Sequence, residues 1–168
     1  MHHRVVVETS TLTAGRLSTP ARERALQSVV AAFAVDPLLR WVWPDEDRYA
    51  GCAGRFFGLL LDLRLMGGEV WVAGGGAAVA VPADAGPYWY LGVLATDPAY
   101  QRRGLASAVL APVLAAADRT GTPAYLETAS ATNVSYYARH GFIPAREVDL
   151  ADGPRCWLMR RDAQVRCG

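Results

Sequence analysis

The stretch that decides the fold is residues 90–110, which read YLGVLATDPAYQRRGLASAVL. Its first half is a run of apolar residues typical of a buried strand, and the run is broken at Asp97-Pro98. A second apolar segment begins at Leu105 with the spacing of a helix face. The stretch therefore predicts a strand that leads into a helix through a short loop.

The loop before this predicted helix has the composition of an anion site. The first turn of a helix has N–H groups without an intrahelical partner, and the helix dipole also favours negative charge there. Gly104 and Ala106 keep side-chain bulk away from the backbone, while Arg102 and Arg103 supply positive charge. No phosphate loop of the nucleotide triphosphatases occurs, and no Gly-x-Gly-x-x-Gly follows a predicted strand. Residues 101–107 are expected to bind the phosphates of a ligand.

A second informative stretch is residues 125–142, which read YLETASATNVSYYARHGF. A short apolar run is followed by a polar loop and then by a short helix that ends at Gly141. On the strand, Glu127 would lie on the face opposite to Leu126 and Thr128. A carboxylate near the end of a central strand needs either a hydrogen-bond partner or a catalytic task. Both interpretations of Glu127 are open at this point.

Together the two stretches resemble the signature of the GNAT family of N-acetyltransferases. The first matches its Gln/Arg-x-x-Gly-x-Gly/Ala segment through Gln101, Gly104 and Ala106, and the second matches its Leu-Glu…Asn…Tyr-x-x-x-Gly-Phe block. The resemblance implies a single domain over residues 1–168 with the acyl-CoA N-acyltransferase fold of that family. This fold is a mixed α/β sheet with helices on both faces, in the order β-α-α-β-β-β-α-β-α-β-β. It also implies acetyl-CoA as the cofactor.

The hydrophobic pattern divides the chain in the same order. Three consecutive glycines, Gly74–Gly76, are predicted to form a hairpin turn. The residues of the second helix that are expected to face the core are Phe56, Leu59, Leu60 and Leu63. The predicted helices cover residues 17–34, 47–65, 105–119 and 133–140, and the predicted strands cover residues 4–8, 69–73, 77–82, 88–96, 124–128, 142–150 and 155–161.

The resemblance implies direct transfer of the acetyl group to an amine. Glu127 would act as the general base toward the acceptor ammonium, directly or through water. Tyr137, one turn after Asn133 on the same helix face, would protonate the departing thiolate. Asn133 also suits a helix cap. The implied cofactor-binding residues are Leu94, Ala95 and Thr96 through their main chain, then Gln101, Arg102, Arg103, Gly104, Leu105, Ala106, Ser107, Asn133 and Tyr137.

The acceptor pocket is predicted from aromatic residues. Trp41 and Trp43 lie between the first two predicted helices, a connection that often borders the acceptor in this family. Amphipathic aromatic rings suit a pocket for an apolar amine, although a packed inter-helix loop explains the two residues equally well. Trp89 and Tyr136 complete the predicted wall. The expected acceptor is a primary amine of a small molecule, and an antibiotic-like amine is one candidate.

Two other functions compete with this interpretation. A non-catalytic acyl-CoA-binding module that regulates a partner would need the phosphate site but neither Glu127 nor Tyr137. An acetyltransferase acting on a peptide or protein N-terminus would apply the same chemistry to a larger acceptor. Within the family, the chain most resembles enzymes that acetylate an aminonucleoside antibiotic, but those enzymes have a long insertion where this chain has only residues 82–87. The identity of the acceptor therefore stays open.

Composition limits the remaining possibilities. The chain has 168 residues, a net charge of +1 and seventeen basic residues, all of them arginine. A charge so close to neutral predicts binding to neither nucleic acid nor a membrane surface. Cys52, Cys156 and Cys167 show neither metal-ligand nor disulfide spacing, so no metal site and a reducing, cytoplasmic setting are expected. The expected assembly is a monomer or a homodimer.

Overall fold

The structure is a computed structural model that describes residues 12–67 and 69–164. One mixed sheet organises this part of the chain. Short 3-10 turns cover Thr19–Ala21, Gly74–Gly76 and Pro98–Tyr100. The strands are β1 (Gly15–Arg16), β2 (Trp71–Ala73), β3 (Ala78–Asp84), β4 (Trp89–Thr96), β5 (Ala124–Thr128), β6 (Ile143–Asp149) and β7 (Arg155–Arg161). The helices are α1 (Arg22–Ala32), α2 (Pro37–Val42), α3 (Glu46–Met66), α4 (Leu105–Thr120) and α5 (Ala131–Ala138).

The sheet opens in its middle. Its strand order is β1-β2-β3-β4-β5-β7-β6, and among the described strands only β4 and β5 pair in parallel. Their pairing is limited to Trp89 opposite Ala124 and Tyr90 opposite Tyr125. Beyond these pairs β4 continues to Thr96 without β5 beside it, which leaves one edge of the strand free for other partners.

Helices cover both faces of the sheet and create two cores. On one face α1 and α3 pack with residues such as Leu61, and on the other α4 and α5 pack with residues such as Leu110 and Tyr137. Successive residues of β3 contribute to different cores, because Val79 belongs to the first and Ala80 to the second. The predicted mixed sheet with helices on both faces is confirmed.

A β-bulge on β4 lies next to the opening. Val93 is opposite Val81, but Leu91 is opposite Pro82, so Gly92 is an extra residue on β4. As a result Leu91 packs in the core beneath α4, while Val93 packs in the core beneath α1 and α3. The bulge comes two residues after the last pair with β5, where β4 leaves its parallel neighbour.

The connection after α1 contains a helix that the sequence pattern did not predict. The Asp36-Pro37 pair lies between the helices predicted over residues 17–34 and 47–65, where no helix was predicted. The Oδ1 atom of Asp36 accepts hydrogen bonds from the N–H groups of Leu38 and Leu39, both at 3.0 Å, and Pro37 takes the first helical position. The pair therefore begins α2.

The predicted inward face of α3 is wrong. Phe56, Leu59 and Leu63 are 50%, 63% and 59% exposed, and Leu60 is only partly buried. Large apolar residues occur on two adjacent stripes of this helix, so apolar character alone does not select the buried one. The stripe that contains the small residue Ala53 packs against the sheet and α1. Its buried members are Tyr49, Ala53, Phe57 and Leu61, which follow the i, i+4 spacing.

Two other predictions concern the start of the sheet. The predicted hairpin at Gly74–Gly76 is confirmed, since these residues join the antiparallel strands β2 and β3. All three glycines have positive φ angles, of 60°, 65° and 95°, which side chains disfavour. The predicted strand over residues 4–8 lies outside the described residues.

Candidate active site

A cavity of about 710 Å³ lies beside the free edge of β4. Its wall combines the end of β4, the loop and first turn of α4, part of α5 and the connection between α1 and α2. The structure thus brings together segments that are far apart in the sequence. The predicted cofactor-binding residues that line the cavity are Leu94, Ala95, Thr96, Gln101, Arg102, Gly104, Leu105, Ala106, Ser107, Asn133 and Tyr137.

The start of α4 is built to leave its first-turn amides available. Gly104 is the N-cap residue, with a φ of 80°, and no side chain caps the helix. A Cβ at Gly104 would meet only a Leu12 methyl carbon at 3.9 Å, so glycine is needed for its conformation rather than for space. Arg102 also has a positive φ, of 60°, which is an uncommon and strained conformation for arginine. Anion binding at this backbone stays a prediction.

Arg103 is the predicted cofactor residue that does not line the cavity. Its guanidinium donates a hydrogen bond to the Ala99 carbonyl at 3.2 Å and lies 5.2 Å from the ring centre of Tyr100. Arg102, by contrast, is part of the cavity wall. Of the two adjacent arginines, only Arg102 is placed to supply charge to the cavity.

Thr96, at the end of β4, is one of the residues that line the cavity. Its Oγ1 is buried and has no hydrogen-bond partner among the described residues. An unsatisfied buried hydroxyl costs free energy. On the opposite edge of the strand, Leu94, Ala95 and Thr96 pair with β3.

Tyr137 lies in the wall between the cavity and the core beneath α4. The residue is only 7% exposed, and its ring packs at 5.8 Å from Phe142. No described residue forms a hydrogen bond with its hydroxyl group, and the residue lines the cavity. Burial, with smaller contributions from Tyr136 and Asp36, raises the pKa of Tyr137, so the hydroxyl, which is protonated at neutral pH in any case, stays protonated at more alkaline pH as well.

Tyr136 and Asn133, on the same helix, have different surroundings. The Tyr136 hydroxyl lies 3.2 Å from the Ser107 Oγ, and the ring lies 4.8 Å from His140. Tyr136 therefore connects α5 with the first turn of α4 while lining the cavity. Asn133 does not cap α5, because Ser130 is the N-cap residue. The Asn133 side chain donates instead to Thr128 at 3.4 Å.

Glu127 points away from the core, as the alternation along β5 predicts. Leu126 and Thr128 are buried, whereas Glu127 is exposed and does not belong to the cavity wall. Its carboxylate accepts a hydrogen bond of 2.5 Å from the Tyr90 hydroxyl. Burial, followed by this hydrogen bond, raises the pKa of Tyr90, which therefore stays a donor. The sequence analysis missed Tyr90, although its parallel pairing with Tyr125 places it on the face of Glu127.

A second carboxylate, that of Asp36, lies in the cavity wall and was also missed as a site residue. Burial raises its pKa, and the hydrogen bonds from Leu38 and Leu39 oppose that effect. Burial and then the charges of Asp36 and Glu127 raise the pKa of the Cys156 thiol. The carboxylates of Asp36 and Glu127 therefore both lie close enough to Cys156, on β7, to affect the pKa of its thiol.

The three tryptophans predicted for the acceptor pocket do not line this cavity. Trp41 packs against the β6–β7 connection, where a Cβ added to Gly153 would lie 2.8 Å from the indole. Trp43 packs edge-on against Phe56, with ring centres 5.7 Å apart. Trp89 lies on the α4 side of the sheet and donates to the Thr120 hydroxyl at 3.3 Å. Of the predicted pocket residues, Tyr136 alone lines the cavity.

Residues 12–67 and 69–164 contain neither a metal-binding cluster nor a membrane-spanning helix. No group of three or more His, Cys, Asp or Glu side chains has an arrangement able to hold a metal ion. None of the helices in this part of the chain is long and apolar enough to cross a membrane.

Comparisons with known proteins agree with this architecture. The structure is similar to one described as histone acetyltransferase HPA2 and related acetyltransferase from Corynebacterium glutamicum, with a TM-score of 0.77 and 25% identity over 93% of this chain and 98% of that chain. It is also similar to the ribosomal-protein-S18-alanine N-acetyltransferase of Escherichia coli, with a TM-score of 0.62 and 22% identity over 93% and 96% of the two chains.

A third similar structure is the PaiA N-acetyltransferase of Thermoplasma acidophilum in complex with coenzyme A. Its TM-score is 0.64 at 12% identity, over 89% of this chain and 97% of that chain. At 22% and 12% identity these last two likenesses concern the fold alone. The model of the acetyltransferase (GNAT) family matches residues 15–142, which include both stretches that carried the resemblance. This chain belongs to the GNAT family of acetyltransferases.

Proposed function

We propose that this protein transfers the acetyl group of acetyl-CoA, the cofactor of its family, to a primary amine of a small molecule. The observation that carries the proposal is the Tyr137 hydroxyl. This hydroxyl has no hydrogen-bond partner among the described residues and is protonated at neutral pH, as any tyrosine is, and Tyr137 lines the cavity that also contains the start of α4. A proton donor and an anion site in one cavity suit a reaction in which a thiolate leaves from a phosphate-bearing cofactor.

The residues present fit acetyl-CoA. The free first-turn amides of α4, with Gly104 and Arg102, would hold the pyrophosphate. The free backbone edge of Leu94–Thr96 would hold the pantetheine arm. When bound there, acetyl-CoA supplies an acetyl group activated as a thioester.

The two proton transfers of the proposed reaction would use residues on different elements, Glu127 on β5 and Tyr137 on α5. Glu127, held by the Tyr90 hydroxyl, would accept the proton of the acceptor ammonium. Because Glu127 is exposed and outside the cavity wall, this proton would travel through water. Tyr137, on the opposite side of the strand opening, would deliver its proton to the departing sulfur. Neither task requires a metal ion or a covalent acyl-enzyme.

The contact between Trp41 and the β6–β7 connection favours a small acceptor. Trp41 of α2 lies directly against Gly153, so two segments that border the acceptor side meet. An extended polypeptide needs an open channel, and this contact narrows the approach. Transfer to a peptide or protein remains the second candidate, supported by the likeness to the structure described as a histone acetyltransferase.

A thiol-release assay with acetyl-CoA tests the proposal. The panel of acceptors includes simple alkylamines, puromycin as the aminonucleoside suggested by the sequence, and short peptides with free N-termini. We expect thiol release that depends on a small amine. Release with peptides alone would favour the second candidate. Binding of acetyl-CoA without release of thiol under any condition would favour a non-catalytic module and contradict the proposal.

A further inference from the structure

Asp36 differs from the other part-buried carboxylates of residues 12–67 and 69–164. Glu69, Asp97 and Asp118 each pair with an arginine, at N–O distances of 3.2, 2.8 and 2.7 Å. Asp36 is the fourth part-buried carboxylate of these residues, and none of the described arginines forms an ion pair with it. A carboxylate that loses water without gaining a cation costs free energy. The missing cation at Asp36 therefore requires an explanation.

Helix capping explains one oxygen of this carboxylate. Oδ1 of Asp36 accepts both N–H groups at the start of α2, whereas no described residue donates to Oδ2. Asp45 caps α3 in the same manner, through a 3.2 Å hydrogen bond from the N–H of Arg48, and it does so while exposed to solvent. Capping therefore does not account for the position of Asp36 in a cavity wall.

Asp36 lies in the wall of the cavity that also contains the proposed proton donor Tyr137. It lines the cavity beside the apolar residues Phe33 and Pro37, and its charge acts on the Tyr137 hydroxyl. Its charge also acts on the Cys156 thiol, as does that of Glu127. Of these two carboxylates, only Glu127 has a proposed task.

We propose that Asp36 binds a second cationic group of the acceptor, so that the preferred substrates are amines with an additional ammonium or guanidinium group. This inference rests on the proposed acetyl transfer. Oδ1 fixes the carboxylate to α2, and Oδ2 accepts an N–H from the ligand cation. The ligand thereby replaces the arginine that the other part-buried carboxylates have. The apolar residues beside Asp36 would contact the alkyl chain between the two nitrogens.

The test compares Asp36→Asn with Asp45→Asn in the full-length protein. Asparagine caps helices about as well as aspartate, so both variants keep their caps and lose one charge. The acceptor probes are putrescine and cadaverine, each compared with the monoamine of equal chain length, butylamine or pentylamine. The measured quantity is the ratio of kcat/KM for the diamine to kcat/KM for the monoamine.

We expect the wild type to prefer the diamines, and Asp36→Asn to lower the ratio by about 10- to 100-fold, as for the loss of a hydrogen bond to a charged group. Asp45→Asn should keep the wild-type ratio. An equal ratio in the wild type and Asp36→Asn, or a wild type without diamine preference, would overturn the inference while leaving acetyl transfer intact. If Asp36→Asn fails to fold, Asp36→Ser keeps a capping hydroxyl and serves the same comparison.

A binding measurement separates this inference from the proposed function. Calorimetric titration of the diamines into the protein saturated with coenzyme A needs no turnover. Binding to the wild type that weakens about 10- to 100-fold in Asp36→Asn supports the role of Asp36 even if no amine is acetylated. If diamine binding weakens in this way but no amine is acetylated, the proposed function fails while the cation site at Asp36 stands. No binding of either diamine to the wild type would overturn the cation site.

Discussion

The Tyr90 hydroxyl donates a 2.5 Å hydrogen bond to the Glu127 carboxylate across the point where β4 and β5 separate. The two residues belong to neighbouring parallel strands, on the face of the sheet that α1 and α3 cover. The bond fixes the proposed base at the mouth of the opening without occupying the second carboxylate oxygen. Tyr90 is in this account a positioning residue for Glu127.

Replacing Tyr90 by phenylalanine tests this relationship. The ring is retained, but the carboxylate of Glu127 loses its donor and gains rotational freedom. We expect kcat for an amine acceptor to fall about tenfold or more, in line with the loss of a hydrogen bond to a charged group. The affinity for acetyl-CoA should not change. Tyr88→Phe is the matched control, since the ring of Tyr88 contacts Tyr125 instead. An equal loss in both variants would refute the positioning role.

Glu127→Gln removes the proposed base while keeping the size of the side chain. Turnover with an amine acceptor should fall by about 10²–10⁴-fold, the usual range for a positioned general base. The defect should shrink as pH rises, because more of the acceptor is then already a neutral amine. The pH–rate profile of kcat/KM for wild type and variant checks this. A defect of constant size at all pH values would favour a purely structural role.

Gly104→Asp tests the anion site at the start of α4. A side chain at a φ of 80° is strained, and the new carboxylate would repel the pyrophosphate. Acetyl-CoA at about a hundredfold excess over its Kd should stabilise the wild type by about 2.7 kcal/mol, and the variant should lose this gain. Gly121→Asp, at the left-handed C-cap of the same helix, carries a similar strain away from the cavity. If both variants retain the ligand-induced rise in Tm, the anion site is misplaced.

Phe57 lies on the buried face of α3 and Phe56 does not, so replacing these two adjacent residues should change the stability of the protein by different amounts. Phe57 is 3% exposed and Phe56 is 50% exposed. Phe57→Ala should lower the free energy of unfolding by about 3–5 kcal/mol, as for other buried phenylalanines. Phe56→Ala should cost much less, because half of its surface is already in water. Urea unfolding of the two variants measures both free energies of unfolding. A larger decrease for Phe56→Ala than for Phe57→Ala would contradict the buried face described here and support the predicted one, which contains Phe56.

The features that the sequence predicted correctly are local. The strand–loop–helix of residues 90–110 follows from consecutive apolar residues and one glycine, and the outward direction of Glu127 follows from alternation along β5. The missed features depend on contacts between distant segments. Tyr90 meets Glu127 only because β4 and β5 pair, and Asp36 lies in the cavity wall only because the connection between α1 and α2 packs beside β4 and α5. No local pattern carries that information.

The face of α3 illustrates a different limit. Both stripes of this helix contain large apolar residues, so the periodicity does not distinguish them. The choice depends on the surfaces of α1 and the sheet, where a stripe with the small residue Ala53 fits. The tryptophans show the same dependence, since Trp89 and Trp43 are used for packing on opposite sides of the sheet.

The central claim is that the cavity supports acetyl transfer with the Tyr137 hydroxyl as proton donor. Single-turnover thiol release by Tyr137→Phe, measured beside Tyr136→Phe and with acetyl-CoA affinity determined for each, tests it most directly. The account predicts that Tyr137→Phe loses about 10- to 10³-fold in rate at unchanged acetyl-CoA affinity, while Tyr136→Phe loses much less. A wild-type rate in Tyr137→Phe, or a large loss confined to Tyr136→Phe, would contradict it.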